Sequence, residues 1–194
     1  MVKSFSRIAA ALLLCAAMLS AAAQDVSLTE LMSLLSQRQS SRATFVEKKF
    51  FKLLDKPVES SGELEYIAPD RVKKQTLTPK PELMLLEGDK LTLENAKKRR
   101  RTVDLNDHPE VATFVTSIRA TLSGDRAALE NYYTVSVSGP LEQWQLLLVP
   151  RQEQLLKVIK QIRISGAQAR VARIEFEQAD GDRSEMIIAD DNGQ

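Results

Sequence analysis

Cysteine, histidine and aromatic residues are scarce in this chain of 194 residues. It contains one Cys, one His and only 5% aromatic residues. Because metal centres and nucleophile–base pairs draw mainly on Cys and His, the composition leaves little material for either. No Gly-Xaa-Ser-Xaa-Gly, His-Glu-Xaa-Xaa-His or glycine-rich phosphate motif occurs. We therefore expect no catalytic residue, no metal site and no cofactor, and an enzyme is the least favoured functional class.

An excess of charge of one sign is also missing. The 27 Lys and Arg residues are balanced by 26 Asp and Glu residues, which gives a formal net charge of +1. Such a chain has no overall attraction for phosphate backbones, so we expect no nucleic-acid partner. The 43% apolar and 27% charged residues are those of an ordinary globular protein. The length fits one domain.

The one long apolar run lies at the N-terminus. Lys3 and Arg7 precede an apolar stretch over residues 8–18, and small residues follow at 21–23. This stretch is about half of the roughly 20 residues that a transmembrane helix needs. The pattern predicts a bacterial secretory signal peptide that is cleaved after Ala23. We therefore expect export to the periplasm and a single domain over residues 24–194.

Two alternatives for this segment are weaker. A lipoprotein signal would use Cys15 as the acylated residue, but Leu14 stands where a small residue is needed. An uncleaved membrane anchor would need a longer apolar run. Residues 24–194 contain no Cys, so no disulfide can stabilise the exported domain and its apolar core must do so.

The spacing of apolar residues predicts a helix at the start of the domain, a first block of strands, a helical insert and a second block of strands. Ser27 and Glu30 form a capping-box pattern, which predicts an amphipathic helix of about 12 residues. Residues 55–62 carry turn residues. Alternating and β-branched segments predict strands over 44–54, 63–66, 71–78, 83–86, 91–93, 101–105, 134–137, 143–149, 158–165, 170–177 and 184–189. Lys73 and Lys74 are expected to face outward.

A helical insert separates the two blocks of strands. Asp107 is the expected cap of its first helix. That helix carries one apolar stripe, which we predict to face the sheet as a lid: Val111, Phe114, Val115, Ile118 and Leu122. Residues 123–125 break the helix, and a shorter helix runs to about Tyr132.

These elements predict an α+β fold with a strongly curved antiparallel sheet of about ten strands. The apolar face is predicted to consist of Leu64, Tyr66, Leu91, Leu93, Trp144, Leu146, Leu148, Ile162, Ile164, Ile174, Phe176, Met186 and Ile188. The opposite face is polar: Glu63, Glu65, Gln143, Gln145, Arg163, Glu175 and Glu185. The N-terminal helix and the insert are the only elements that can cover the apolar face. Periodicity leaves open whether they enclose a filled core or a ligand cavity lined by these residues.

The most biased local feature is a basic run of five residues: Lys97, Lys98, Arg99, Arg100 and Arg101. One interpretation is a solvated loop or an edge strand, where charge discourages pairing between sheets. The other is a docking patch for an acidic partner or for lipid headgroups. Residues 42–105 hold 15 bases and 11 acids, which supports the second interpretation.

The remaining polar candidates have structural explanations. His108 adjoins the start of the predicted insert helix, where a capping or surface role is favoured over catalysis. Asp180, Asp182 and Glu185 could suggest a calcium loop, but the spacing lacks the full ligand set of such loops. A solvated hairpin turn is the better interpretation of this segment.

Three short motifs stand in a fixed order after the first helix. They are Arg-Ala-Thr-Phe-Val-Glu-Lys at 42–48, Gly-Glu-Leu-Glu-Tyr-Ile-Ala-Pro at 62–69, and Leu-Leu-Glu-Gly-Asp-Lys-Leu at 85–91. Together with the signal segment and the insert, this order resembles the periplasmic outer-membrane lipoprotein carrier (LolA-like) family. The resemblance extends over roughly residues 27–190.

The resemblance implies an unclosed β-barrel with a helical lid over a cavity that shields acyl chains. It implies an acylated lipid or lipoprotein as cargo, an inner-membrane exporter and an outer-membrane acceptor as partners, and a monomer. A second hypothesis is a periplasmic sensor or interaction module on the same scaffold, which binds lipid or lipoprotein without transporting it.

Two positions depart from the family pattern. Ala68 stands where family members carry an Arg that helps to hold the lid shut, and Arg71 is a candidate substitute. The aromatic-rich hairpin of the family is reduced to Leu-Thr-Leu at 91–93. The chain is therefore expected to be a divergent branch that carries a lipoprotein or another lipidic cargo.

Overall fold

The computed structural model describes residues 24–190, apart from the side chains of residues 109 and 110. The predicted signal segment over residues 1–23 lies outside the described residues. The described helices are α1 (Leu28–Ser36), α2 (Pro109–Ser123), α3 (Arg126–Tyr132) and α4 (Glu153–Leu156). The strands are β1 (Ser40–Phe50), β2 (Val58–Ile67), β3 (Arg71–Thr78), β4 (Glu82–Glu87), β5 (Lys90–Glu94), β6 (Arg100–Asp104), β7 (Tyr133–Ser138), β8 (Trp144–Pro150), β9 (Ile159–Ala167), β10 (Arg170–Gln178) and β11 (Arg183–Asp190).

All eleven strands form one antiparallel sheet in the order β6-β5-β4-β3-β2-β1-β11-β10-β9-β8-β7. The two edge strands, β6 and β7, are joined through α2 and α3, so the helical insert bridges the open side of the curved sheet. This arrangement confirms the predicted α+β fold, an unclosed β-barrel with an N-terminal helix and a helical lid. Among the helices of the described residues, none is long and apolar enough to cross a bilayer.

The concave side of the sheet is filled at one half. There α1 buries Leu31, Met32 and Leu35 against strands β8 and β9, whose inward residues are fully or almost fully buried. The core residues of these two strands are Trp144, Leu146, Leu148, Ile159, Ile162 and Ile164. A second, smaller cluster joins the first half of α2 to β4 and β5 through Val115, Leu86 and Leu91.

The helix ends show why the insert folds back beside α1. Gly124 ends α2 in the left-handed conformation at φ 68°, and a Cβ there would lie 2.1 Å from the carbonyl oxygen of Met32. Only glycine allows α2 to end this close to α1. Asp125 then caps α3 by accepting a hydrogen bond from the backbone N–H of Ala128 at 3.0 Å. The predicted cap of α1 is also present, since Ser27 Oγ accepts from the backbone N–H of Glu30 at 3.2 Å.

The predicted cap of α2 is wrong. Asp107 belongs to a short 3-10 turn over Leu105–Asp107, and His108 occupies the N-cap position of α2. The turn is stabilised by Asp104, whose carboxylate accepts from the backbone N–H of Asn106 at 3.0 Å. The acidic cap therefore acts one turn earlier than the sequence pattern indicated.

Two strand boundaries also differ from the predicted ones. β1 ends at Phe50, which pairs with Arg183 at the start of β11, so the apolar residues that follow have no partner strand. β2 begins at Val58 because Lys49 of β1 pairs with it. Residues 51–57 are therefore the hairpin turn, whereas the sequence pattern predicts a strand over 44–54 and a turn over 55–62. Pairing along the ladder overrides local propensity at these ends.

Gly166 generates a testable prediction about the filled half. It lies in β9 opposite Trp144, and a Cβ there would stand 2.5 Å from the indole ring and 1.9 Å from the carbonyl oxygen of Arg170. The ring cannot move aside easily, because its N–H donates to the carbonyl of Gln168 at 2.9 Å. We predict that Gly166→Ala lowers the free energy of unfolding in urea by about 1–3 kcal/mol. Ser165→Ala in the same strand is the control, and equal stability of both variants would contradict this packing.

Candidate functional site

The other half of the concave face encloses a cavity of about 470 Å³ between α2 and the sheet. Cavities that bind small molecules in proteins measure roughly 300–1,000 Å³. The apolar wall has three sides. Strands β2 to β4 contribute Leu64, Tyr66, Val72 and Met84; strands β9 to β11 contribute Ile164, Val171, Ile174, Phe176, Met186 and Ile188; and α2 contributes Phe114, Ile118 and Leu122.

Seven of the thirteen residues predicted to face inward border this cavity: Leu64, Tyr66, Ile164, Ile174, Phe176, Met186 and Ile188. Trp144, Leu146, Leu148 and Ile162 lie instead in the filled core beneath α1. Leu91 packs in the smaller cluster, and Leu93 is exposed beside edge strand β6. The predicted face is thus divided between a core and a cavity, because α1 and α3 cover only one half of it. Contact of the seven residues with a ligand stays a prediction.

The predicted lid residues lie in two different environments. Phe114, Ile118 and Leu122 border the cavity, whereas Val111 and Val115 pack against β4 and β5. Phe114 meets Phe176 across the cavity wall in an edge-to-face contact, with ring centroids 5.0 Å apart. Such aromatic pairs contribute about 0.5–1.5 kcal/mol beyond their buried area, which is small enough to be broken and remade.

The stripe of α2 beside the cavity-facing one is polar but buried. Thr113, Ser117 and Thr121 are almost completely buried, and Thr121 borders the cavity. The hydroxyl of Thr121 donates to the carbonyl of Ser117 at 2.8 Å. The phenol of Tyr133 donates to the carbonyl of Thr113 at 3.3 Å, and burial raises the pKa of that phenol. Because these hydroxyls find partners on the helix itself, the small side chains let α2 pack closely without unpaired polar groups.

The polar contact between the lid and the barrel starts from α2. Arg119 donates to the carbonyl of Gly88 at 3.1 Å and lies 4.0 Å from the carboxylate of Asp89. The candidate substitute, Arg71, has a different role, since it forms ion pairs with Glu65 and Glu87 on strands β2 and β4. Arg119 was missed because an Arg on an amphipathic helix is expected at the solvent face.

A buried ion pair stands in the cavity wall and was not predicted. Lys74 and Glu47 are joined by a hydrogen bond of 2.5 Å, and their side chains are only 17% and 8% exposed. Lys74 also lies 4.8 Å above the ring of Phe45. The prediction that Lys74 faces outward is wrong, because it pairs across the ladder with the inward-facing Leu64. The inward position of Glu47 could have been predicted from the sequence. Residues two apart in a strand face the same side, and Glu47 follows the inward-facing Phe45 by two residues.

The cavity wall also contains one unsatisfied hydroxyl. Tyr66 is 3% exposed, and its phenol oxygen has no hydrogen-bond partner within the described residues. Burial and, to a smaller extent, the charge of Asp70 raise the pKa of this phenol, so it stays protonated and can donate. Unpaired buried hydroxyls are uncommon, so Tyr66 is the residue of the wall most in need of a polar partner.

The predicted docking patch is divided between a turn and an edge strand. Lys97, Lys98 and Arg99 lie in the β5–β6 turn, while Arg100 and Arg101 begin the edge strand β6. Arg100 and Lys98 pair with Glu94 at 2.9 and 3.3 Å. Hydrogen bonds from Arg100 and then Lys98 lower the pKa of Glu94. The run therefore protects an edge and presents exposed positive charge at the same time.

Comparison with known proteins gives one family match and several similar structures. The family model described as outer membrane lipoprotein carrier protein LolA-like matches residues 20–192. The LolA superfamily protein NE2245 from Nitrosomonas europaea is 10% identical, with a TM-score of 0.47 over 85% of this chain and 92% of its own. A DUF1329 family protein from Desulfovibrio piger is 11% identical, with a TM-score of 0.45 over 86% and 92% of the two chains. No curated protein matches the sequence.

The buried ion pair generates a prediction about stability. Glu47→Leu leaves the ammonium of Lys74 without its carboxylate. We expect a loss of about 3 kcal/mol in the free energy of unfolding, at the lower end for a broken buried pair because Lys74 is still 17% exposed. The double variant Glu47→Leu/Lys74→Met removes both charges and should recover most of this loss, because an apolar pair fits the surrounding wall. Urea denaturation of both variants measures the difference.

The control for that comparison is the exposed pair Lys48–Glu59, at 3.2 Å on the outer face. Glu59→Gln should change stability very little. A double variant that is less stable than Glu47→Leu alone would show that the wall depends on the ion pair itself.

Proposed function

The chain belongs to the outer membrane lipoprotein carrier protein LolA-like family, and from this membership we propose that it is a periplasmic carrier of acylated cargo. The proposed carrier shields the acyl chains of a lipoprotein or another lipid during transfer to the outer membrane. The observation that supports this function most directly is the apolar cavity of about 470 Å³ beneath α2. We propose that the domain over residues 24–194 reaches the periplasm by a signal peptide cleaved after Ala23.

The physical requirement of such a carrier is strong shielding with easy release. Each buried methylene group contributes about 0.8 kcal/mol, so an acyl chain that is removed from water over its whole length is bound tightly. Release therefore needs a wall that can open. Helix α2 is the candidate for that wall. Its first half packs against β4 and β5 through Val111 and Val115, whereas beside the cavity it is joined to the barrel by the Phe114–Phe176 ring pair and the hydrogen bond from Arg119 to Gly88.

The cavity fits binding better than catalysis. Among its charged residues, Glu47 pairs with Lys74 and Arg38 with Asp190, and Tyr66 is a neutral donor suited to an ester or amide carbonyl of the cargo. We propose that no reaction occurs in the cavity and that no cofactor is used. The proposed partners are an inner-membrane exporter and an outer-membrane acceptor, each acting on a monomer.

The alternative is a sensor that binds lipid or lipoprotein without moving it. The exposed basic turn at residues 97–99 favours this alternative, because it offers a docking surface outside the cavity. A transfer assay separates the two functions. A carrier moves a fluorescent lipid from donor to acceptor vesicles, whereas a sensor binds the lipid and leaves the transfer rate at its spontaneous value.

We predict that the purified protein binds a dansyl-labelled fatty acid and that Ile118→Glu weakens this binding at least tenfold, because a carboxylate in an apolar wall is costly to bury beside a chain. The matched control is Ile187→Glu, since Ile187 is 52% exposed on the outer face of β11. Dansyl fluorescence titration gives both affinities. Absence of binding by the unmodified protein, or equal loss in both variants, would contradict a lipid-binding cavity.

A further inference from the structure

The antiparallel ladder divides the loops of the barrel between two opposite rims. We call one the basic rim, formed by the loops over residues 51–57, 79–81, 95–99, 151–158 and 179–182. We call the other the acidic rim, formed by the loops over residues 37–39, 68–70, 88–89, 105–108, 139–143 and 168–169. The two rims stand at the two ends of every strand.

The loops at the two rims carry opposite charge. Those of the basic rim contain eight Lys or Arg residues and four Asp or Glu residues, an excess of four positive charges. Those of the acidic rim contain one Arg and four Asp or Glu residues, an excess of three negative charges. The near-neutral total of the chain therefore conceals a charge separation along the barrel, which orients the protein in the field of a charged surface.

Exposed apolar side chains concentrate at the same end of the barrel as the positive charge. Five large apolar residues of the basic-rim loops are exposed: Phe51, Leu53, Leu54, Leu156 and Val158. Leu53, at the tip of the β1–β2 hairpin, is 95% exposed. Lys52 and Lys56 flank this tip in sequence. Val58 and Leu77, at the strand ends beside the rim, are exposed as well.

Hydrogen bonds join the loops that carry these apolar residues into one surface. The backbone N–H of Lys52 donates to the carboxylate of Asp182 at 2.8 Å, which ties the 51–57 hairpin to the β10–β11 turn. The backbone N–H of Ala179 donates to the carbonyl of Val158 at 3.1 Å, which ties that turn to the 151–158 loop. The acidic residues of the rim are thus partly engaged within it.

The cavity extends to this rim. Its lining includes Phe50, Phe51, Gln178 and Arg183, which are the residues where β1, β10 and β11 meet the rim loops. The guanidinium of Arg183 lies 4.0 Å above the ring of Phe50. An acyl chain at the rim would therefore enter the cavity past the rings of Phe50 and Phe51.

We propose that the basic rim docks on the surface of a bilayer that contains anionic phospholipid, with the tip at Leu53 and Leu54 inserted among the headgroups. Apolar side chains flanked by Lys and Arg are the pattern of interfacial membrane binding, where both parts contribute to affinity. Protein interfaces are depleted of Lys at their centres, so a Lys-rich apolar rim fits a lipid surface better than a protein partner. In the proposed carrier function, on which this docking rests for the identity of the cargo, the basic rim is the surface at which cargo is exchanged.

Flotation with vesicles tests the proposal. One vesicle set is phosphatidylcholine alone, and the other contains about a quarter phosphatidylglycerol, an anionic lipid. The protein is expected to float with the anionic vesicles and to be released by high salt. Failure to float with anionic vesicles would overturn the proposal, as would equal binding to both sets.

Two variants with matched controls assign the binding to the rim. Leu54→Thr should weaken vesicle binding several-fold, while Ile187→Thr, at the nearly equal exposure of 52% against 53%, should not. Replacing Lys97, Lys98 and Arg99 by Gln should weaken binding at least tenfold. Replacing Lys48, Lys73 and Lys90, which lie outside the rim loops, by Gln is the control for net charge. Equal loss in variant and control would overturn the rim assignment.

The same preparations distinguish the failure of this proposal from the failure of the carrier function. Dansyl fatty acid binding in the absence of vesicles reports only on the cavity, and the rim variants should retain it. A protein that binds the fatty acid but no vesicle would keep the proposed function and overturn membrane docking. Capture of an acidic protein by the rim without vesicle binding would overturn it as well.

Discussion

The structure depends on a mismatch between the apolar face of the sheet and the helices available to cover it. Eleven strands curve into a single concave face, but α1 and α3 fill only the half formed by β7 to β9. Over the other half, the first part of α2 packs against β4 and β5, and the cavity lies between the rest of the helix and the sheet. Closely packed cores seldom leave voids larger than a water molecule, so a cavity of about 470 Å³ is a departure that needs a reason. A bound ligand would explain the cavity, because it would supply the contacts that α2 and the sheet do not make with each other there.

The surroundings of the cavity fit this explanation. The filled half is rigidly packed, with Trp144 seated on Gly166, and can hold the barrel in shape whether the cavity is empty or occupied. The lid is held by apolar packing of Val111 and Val115 on β4 and β5, by the ring contact and by Arg119, and the hydroxyls of Ser117 and Thr121 are satisfied within the helix. In the proposed carrier, the part that would stay fixed is thus separated from the part that would open. The cavity extends from the apolar and basic loops at one rim to Arg38 and Ala169 at the other, so the charge separation runs along it.

Much of the fold could be predicted from the sequence because it depends on local patterns. The alternation of Leu64 and Tyr66, the cap at Ser27 and the break at Gly124 each report directly on neighbouring residues. The division of the inward face between core and cavity could not be predicted, because it depends on where α1 lies across the sheet. The inward position of Lys74 and its pairing with Glu47 could not be predicted for a related reason. A shift of one residue in strand register turns a side chain to the other face, so the face of a charged residue is known only when the partner strand is known. The concentration of exposed Leu and Lys at one rim is visible only when the ladder has been assembled.

If acyl chains occupy the space between α2 and the sheet, a spin-labelled fatty acid bound there will broaden methyl NMR signals of isoleucines that border the cavity. We expect broadening for Ile118, Ile164, Ile174 and Ile188, and sharp signals for Ile67 and Ile187 on the outer surface. Broadening confined to the outer surface, or none at all, would show that the chains do not occupy the cavity.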